Sequence, residues 1–233
     1  MKNRLCNVCV RALVMWLGFA AVFDAQAQVG IVRTVEGQVN VFSGRAECAP
    51  RFGLDLEEGD AVRTGEKSWA LLSMMDGAKI TVRPDTEVRI DAYRYNESAD
   101  PGRNQAQLAL SKGALRVTAG RIAMGSGGSF VVKTPDAGTK LRGSDQDVTY
   151  IVPKASPASA ARAGTYARSN MGEAVLNNAG GELTLRAGQT AYADALVRTP
   201  PRVLDSPPYF YYWYDYIDRR AAAVAEKLDT LIP

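Results

Sequence analysis

The sequence contains no histidine among its 233 residues. Histidine is the commonest general base and the commonest metal ligand, and it is the usual middle member of a Ser-His-Asp triad. Its absence excludes histidine-based triads and the histidine-ligated zinc sites that many hydrolases use. We therefore expect a non-enzymatic protein with no catalytic residues, no metal site and no cofactor.

Cysteine and net charge are also scarce. Of the three cysteines, Cys6 and Cys9 lie in the N-terminal segment described next, so we expect Cys48 to have no intrachain partner. Outside residues 1–27, which hold three basic residues and one acidic residue, 25 Lys plus Arg stand against 24 Asp plus Glu, a net charge of +1. Because a nucleic-acid partner usually requires a strongly basic patch, we expect none.

Only the N-terminus contains a long apolar run. Three basic residues precede residues 12–23, a stretch of 12 residues without a charge, and small residues at Ala25 and Ala27 follow it. This order predicts a secretory signal peptide over residues 1–27, cleaved between Ala27 and Gln28. The run is shorter than the roughly 20 apolar residues that cross a bilayer. We therefore expect a periplasmic mature chain without a transmembrane segment.

Residues 28–198 have the pattern of an all-β domain. Apolar and polar residues alternate in many short segments, which is typical of half-buried strands: residues 39–41, 79–82, 87–92, 114–119 and 148–152. Residues 71–75 are almost wholly apolar, as in a strand that is covered on both faces, and Asp76-Gly77 predicts a tight hairpin after them. The repeated glycine turns suit either a β-sandwich or a solenoid-like stack of short strands.

Residues 199–233 differ in kind from the β domain. Residues 199–208 contain four prolines and predict a linker or strap, and seven aromatic residues fill positions 209–216. The composition then becomes helical from Asp215 to Leu231, with an apolar stripe predicted at Trp213, Ile217, Val224, Leu228 and Leu231.

The aromatic segment supplies the candidate contact residues. A partner would be contacted by residues that carry large amphipathic rings, namely Tyr209, Tyr211, Tyr212, Trp213 and Tyr214. The same rings are equally consistent with a strap that folds back and covers an exposed sheet edge. The sequence leaves both interpretations open.

Several segments, taken in order, resemble the FecR domain family, which is named after a periplasmic regulator of ferric citrate transport. The segments are Val35-Glu36-Gly37-Gln38-Val39, Leu56-Glu57-Glu58-Gly59-Asp60-Ala61-Val62-Arg63-Thr64-Gly65, Ser68-Trp69-Ala70-Leu71-Leu72, Asp76-Gly77-Ala78-Lys79-Ile80-Thr81-Val82, Leu110-Ser111-Lys112-Gly113-Ala114-Leu115, Phe130-Val131-Val132-Lys133-Thr134-Pro135, Leu141-Arg142-Gly143-Ser144-Asp145 and Gly188-Gln189. The resemblance extends from about residue 31 to residue 193. It departs from the family at Ser144, where the family usually has threonine.

The resemblance implies an all-β domain with a protein-contact or cell-wall role and no known catalytic residues. Sensor-type members carry a cytoplasmic anti-sigma region before a membrane helix, and we expect this chain to be a stand-alone exported version without that region. The predicted function is a protein–protein adaptor or sensory scaffold in the bacterial envelope. The alternative is a module that binds peptidoglycan or another glycan.

A third interpretation is an enzyme acting on envelope sugars. Asp145 and Asp147 are two residues apart and would share one face of a strand, where two carboxylates can act as acid and base or hold calcium. Calcium needs about six oxygen ligands, and only two carboxylates are in view. A solvated strand face is the simpler explanation of this pair.

Overall fold

The computed structural model describes residues 27–98, 100–153, 161–196 and 199–231. Within this part of the chain there are fifteen strands, and all of them belong to one hydrogen-bonded network. The strands are β1 (Gln28–Glu36), β2 (Val39–Ser43), β3 (Ala46–Cys48), β4 (Leu54–Glu57), β5 (Ala61–Thr64), β6 (Trp69–Met74), β7 (Lys79–Val82), β8 (Glu87–Arg94), β9 (Gln105–Thr118), β10 (Ser129–Lys133), β11 (Ala137–Ile151), β12 (Gly164–Asn178), β13 (Gly181–Arg186), β14 (Thr190–Asp194) and β15 (Arg202–Val203). The helices are α1 (Arg121–Met124) and α2 (Phe210–Leu231), with a short 3-10 turn at Pro101–Arg103.

The first nine strands close into a small barrel. From β9, one path of pairings runs through β7 and β6 to β1, and the other runs through β8 and β5 to β2. β1 and β2 are consecutive in the chain, which brings the ends of the two paths together in a barrel-like closure, although no pairing among the described strands joins β1 to β2.

Strand β9 is shared by the two halves of the molecule. Its first part pairs with β8 and β10, and its second part pairs with β7 and β11. The change of partners occurs around Gly113, where φ is +88° and an added Cβ would lie 2.5 Å from the Cα of Thr86. Glycine is required there because only glycine tolerates both the positive φ and the close approach. Beyond β9, the long strands β11 and β12 continue the sheet to β13, β14 and β15.

The barrel interior is apolar. Buried side chains from its strands and from β10 and β11 pack into one cluster, which includes Leu56, Leu72, Ile80, Leu108 and Phe130. Strand β6 is buried on both faces, as its apolar sequence predicted. Alternate residues of β6, such as Leu72, face this cluster, while Trp69 and Leu71 face α2. The second half of the sheet has its own, smaller cluster of alanine and leucine side chains.

The Asp76-Gly77 hairpin between β6 and β7 is confirmed, and Asp76 does more than form a turn. Its buried carboxylate accepts hydrogen bonds from the backbone N–H of Ala78 (3.0 Å), the backbone N–H of Ile122 (3.1 Å) and the hydroxyl of Tyr93 (2.6 Å). These bonds join the hairpin to β8 and α1. The environment raises the pKa of Tyr93 well above its usual value, first through burial and then through the charge of Asp76.

The predicted all-β class and C-terminal helix are confirmed. The sequence left a sandwich and a solenoid open, and the strands instead form one continuous network with a barrel-like closure. Helix α2 begins at Phe210, five residues before the predicted start. Of the predicted stripe, Ile217 is buried and Val224 is partly buried, whereas Trp213 is half exposed. The side chains of Leu228 and Leu231 lie outside the described residues. Among the described side chains of the helix, Tyr211, Asp218 and Ala221 are also buried.

The predicted signal peptide lies almost wholly outside the described residues, and Cys48 differs from its prediction. Residues 1–26 of the predicted signal peptide lie outside the described residues, and Gln28 is the exposed first residue of β1. The expectation that Cys48 has no intrachain partner is wrong, because the buried Cys48 is disulfide-bonded in this structure. Among the described residues, no helix is both long and apolar enough to cross a membrane.

Candidate functional site

Helix α2 lies against one face of the sheet. A short connection from β15 leads to it, and backbone hydrogen bonds hold both ends of this connection in place. The preceding strand β15 pairs with β14, and the backbone N–H of Leu204 donates to the carbonyl of Thr190 at 2.8 Å. After Pro207 and Pro208, the carbonyl of Pro208 accepts the N–H of Tyr211 at 3.1 Å in the first turn. Alanine, glutamate, lysine and arginine, which favour helices, fill the later turns.

The aromatic segment has a covered face and an exposed face. Tyr211 is only 1% exposed, and Phe210 and Tyr214 are partly buried beside it. The exposed rings belong to residues that lie at helical spacing on the other side: Tyr209, Tyr212, Trp213 and Tyr216, which are 63%, 72%, 50% and 46% exposed. Trp213 and Tyr216 stack on each other with ring centroids 5.5 Å apart and planes inclined by 25°. We call these four rings the aromatic face.

A buried arginine is at the centre of the interface between the sheet and α2. Arg83, directly after β7, is fully buried and contacts Asp147 of β11. It also donates to Asp218 of α2 through both Nε (3.1 Å to Oδ1) and Nη2 (2.5 Å to Oδ2), a bidentate arrangement. Its guanidinium lies 4.7 Å from the ring centroid of Tyr214.

Two further arginines of the sheet extend this interface. Arg116 of β9 donates from Nε to Asp145 (2.8 Å) and from Nη1 to Asp218 (3.0 Å). Arg168 of β12 contacts Asp147 through Nε (3.0 Å) and Asp215 through Nη2 (2.7 Å). Its guanidinium also lies 4.7 Å from the ring of Tyr211. We call Arg83, Arg116, Arg168, Asp145 and Asp147 the charged face of the sheet.

Electrostatics at the charged face favour the ionised arginines. Desolvation by burial lowers the pKa of Arg83, but the charges of Asp147 and Asp218 outweigh it, so that the pKa is raised. Hydrogen bonding to Asp145 is the main reason that the pKa of Arg116 is raised. Burial raises the pKa of the Tyr211 hydroxyl above its usual value, and the pKa of Tyr214 is raised for the same reason.

The structure brings the two candidate carboxylates together but pairs both with arginine. Asp145 and Asp147 do share the face that α2 covers, as the spacing predicted. Asp147 is fully buried, and it accepts a 2.8 Å hydrogen bond from Asn170 in addition to its two arginine partners. The described residues hold no group of three or more His, Cys, Asp or Glu side chains that is suited to a metal ion.

A groove opens where the first turn of α2 meets the sheet. It has a volume of about 670 Å³, and its wall includes Lys112, Tyr150, Tyr209, Trp213 and Asp85. Lys112 Nζ and Asp85 Oδ1 are 3.7 Å apart, and both side chains are 56% exposed. The aromatic face is therefore continuous with a recess that offers one positive and one negative group.

Comparison with known proteins identifies the middle of the chain. Residues 60–159 match the family model described as FecR protein. This stretch is therefore similar to the FecR domain family. The sequence resemblance had extended further, from residue 31 to residue 193, so its first and last segments lie outside the match.

Similarity to other proteins is more distant. Two crystal structures of a candidate anti-sigma factor from Parabacteroides distasonis share 14% sequence identity with the chain, at TM-scores of 0.44 and 0.43. Each alignment covers 62% of this chain and 57% of that chain, so the protein spans little more than half the length of the solved structures it matches. No curated protein matches it.

The segments that resemble the family have structural roles in the β domain. Asp60 is buried in a turn, where its carboxylate accepts the backbone N–H of Glu57 at 2.9 Å. Around Arg142-Gly143, the pairing of β11 with β12 shifts register at a bulge, and the Arg142 side chain is exposed. These positions are turns and bends, which agrees with the structural interpretation of the motifs.

Sequence reasoning missed the arginines of the charged face. Alternation with the buried residues of β9 predicts that Arg116 lies on the polar face of a strand, and it does. That face is covered by α2, whose Asp218 contacts Arg116, and the alternation does not indicate this. Arg83 gave no signal, because its partners Asp147 and Asp218 are 64 and 135 residues away. The aspartates at positions 215 and 218, one helical turn apart, were the available sign that one side of the helix meets positive charge.

Proposed function

We propose that this chain is a non-enzymatic, exported FecR-domain protein of the bacterial envelope, in which the domain presents α2 to a protein partner. The observation that carries the proposal is the aromatic face, four large rings exposed on a helix whose opposite side is held by buried ion pairs. Exposed aromatic clusters on a rigid support are typical of interaction sites.

The rigid support distinguishes this surface from a flexible tail. Tyr211 is buried while its neighbours Tyr212 and Trp213 are exposed, so the ring positions are set by the helix and by the contacts beneath it. A preorganised surface loses less conformational entropy on binding than a disordered segment does. Of the five contact residues predicted from the sequence, Tyr209, Tyr212 and Trp213 are exposed to a partner, whereas Tyr211 and Tyr214 contact arginines of the sheet.

The test is cross-linking and capture from an envelope extract. The mature chain, starting at Gln28, is compared with a variant in which Tyr212, Trp213 and Tyr216 are replaced by serine. A matched control replaces three exposed apolar residues elsewhere, Met124, Met171 and Leu196, by serine. We expect one defined protein to be captured by the wild type and the control but not by the aromatic variant. Equal capture by all three proteins contradicts the proposed surface.

A glycan-binding function is the second candidate, and the stacked pair Trp213–Tyr216 favours it. Flat aromatic rings can pack against the apolar faces of sugar rings, and the tyrosine hydroxyls and the nearby Lys112 and Asp85 supply polar contacts. Co-sedimentation with purified peptidoglycan at low salt tests this function. Binding that the three serine substitutions abolish supports it, and wild-type protein that stays in the supernatant rules it out.

The proposals of export and of no enzymatic activity have separate tests. N-terminal sequencing of the protein from the periplasmic fraction is expected to begin at Gln28; an N-terminus at Met1 contradicts cleavage.

If the purified protein cleaved an envelope polymer, the non-enzymatic proposal would fail. Cleavage that survived the pair of substitutions Asp145→Asn and Asp147→Asn would show that these carboxylates do not carry the activity.

A further inference from the structure

The charged face of the sheet is incomplete without an acidic segment. Its three arginines, Arg83, Arg116 and Arg168, carry one more unit of charge than its two aspartates, and Arg83 is fully buried in the structure. Helix α2 supplies Asp215 and Asp218, which contact all three arginines. An arginine left desolvated without these carboxylates is unfavourable, so the face selects a helix of this charge pattern.

Next to the charged face is a small apolar patch that fits the same helix. Trp69 and Leu71 of β6 pack against Ile217 and Ala221 of α2, with Val224 partly buried beside them. Above this patch, Arg220 of the helix contacts Glu36 of β1 at 2.9 Å. We call the charged face together with Trp69, Leu71 and Glu36 the helix-binding surface. Its charges, its apolar patch and its ion pair with Arg220 all match the side chains of α2.

The connection to α2 is short and exposed. After the last backbone bond of the strap, from Leu204 to Thr190, residues 205–208 lead to the helix, and they include Pro207 and Pro208. Exchange of a terminal element between copies keeps every contact of that element and changes only the hinge, so it is a route to dimers of low energetic cost. Short and conformationally restricted hinges favour such exchange.

We propose that the helix-binding surface also accepts α2 of a second copy, and that the protein forms a dimer by reciprocal exchange of Phe210–Leu231. In the dimer each charged face binds the two aspartates of the other chain's helix, and the hinge at residues 205–208 extends between the two bodies. Two aromatic faces are then presented by one assembly. The inference is independent of which partner the aromatic face binds.

Complementary charge reversal tests the exchange in the full mature chain. One variant has a reversed helix, with Asp215→Arg and Arg220→Glu, and the other has a reversed sheet, with Arg168→Glu and Glu36→Arg. Each variant alone repels its own helix. In a mixture, an exchanged heterodimer has one wild-type interface and one fully reversed interface, and both are attractive. We expect the dimer fraction, measured by light scattering after gel filtration, to rise at least about fivefold on mixing.

Arg168 also contacts Asp147, so its reversal can disturb folding of that variant. A second mixture, Arg220→Glu with Glu36→Arg, avoids this because both side chains are substantially exposed, at 51% and 38%. The dimer fraction of this second mixture should also rise on mixing, but by less, because exposed ion pairs contribute less.

The matched control is a similar mixture at Arg63 and Glu87, an exposed pair between β5 and β8 with a 3.1 Å contact. Because this pair is not part of the helix-binding surface, Arg63→Glu mixed with Glu87→Arg should remain monomeric. The proposal is overturned if both test mixtures stay monomeric while circular dichroism shows folded chains, or if the control mixture dimerises equally well.

Discussion

The barrel interior and the interface beneath α2 are both buried, yet they are built from different side chains. The barrel cluster is apolar and includes Leu56, Leu108 and Phe130, all with 1% exposure or less. The interface has a small apolar patch at Trp69 and Leu71, and its other contacts are ion pairs and rings over arginine. Apolar burial stabilises without a strict geometry, whereas buried ion pairs contribute little net stability but penalise every wrong partner.

This difference suggests separate tasks for the two regions. The barrel supplies the free energy that keeps the β domain folded, and the interface determines where the helix lies and which rings it exposes. Substitutions in the two regions should therefore differ both in the size of their effect and in the part of the molecule that they affect. The predictions below test that contrast.

The largest effect is expected in the barrel. Phe130 of β10 is fully buried and makes an edge-to-face contact with Tyr93 at a centroid distance of 6.0 Å. Phe130→Ala should lower the free energy of unfolding by about 3–5 kcal/mol, because it removes buried apolar area and leaves a cavity. Denaturant unfolding followed by circular dichroism measures the loss. A loss below about 1 kcal/mol would show that the barrel interior repacks and does not act as a rigid core.

A smaller and more local effect is expected at the interface. Asp218→Ala removes the carboxylate that contacts Arg83 and Arg116, although Asp147 and Asp145 remain as partners of these arginines. We expect a cost of about 2–3 kcal/mol, because a buried cation loses a charged hydrogen-bond partner. Hydrogen exchange should show lost protection in α2 while the barrel strands keep theirs. Uniform loss of protection across both regions would contradict the separation of tasks.

The same contrast explains what the sequence could and could not predict. Alternation identified the strands, and the apolar run at residues 71–75 identified β6 as covered on both faces, because these patterns are local. The arrangement at the interface depends on contacts such as Arg116 with Asp218, which are 102 residues apart, and local periodicity carries no record of them. For the aromatic segment, local sequence does not distinguish covered rings from exposed ones: the structure buries Tyr211 against the sheet and leaves Tyr212 exposed.

Alkaline pH should weaken the interface through its tyrosines. Burial raises the folded-state pKa of Tyr211 and Tyr214 above the usual 10.0. Their contribution to stability is therefore fully present below about pH 10 and is lost as pH rises towards the raised values, because the unfolded chain releases these protons first. Tyr211→Phe keeps the ring and removes one titrating group, so its stability should fall less steeply between pH 10 and 11 than that of the wild type. Trp213→Phe, which changes a half-exposed ring without removing a titrating group, is the control and should leave the slope unchanged.

The smallest effect on stability is expected on the exposed side of the same helix. Trp213 is 50% exposed and stacks on Tyr216, and nothing in the barrel depends on it. Trp213→Ser should change the free energy of unfolding by no more than about 0.5 kcal/mol, as substitutions away from the core usually do. Tyr211→Ser, two residues earlier on the covered side, should cost several times as much, because it leaves a void beside Arg168 and Tyr214. If the two substitutions cost the same, the helix does not lie on the sheet in solution as the structure has it. If only Tyr211→Ser destabilises the protein while only Trp213→Ser abolishes capture of the partner, then the covered side of α2 packs on the sheet and the exposed side binds the partner.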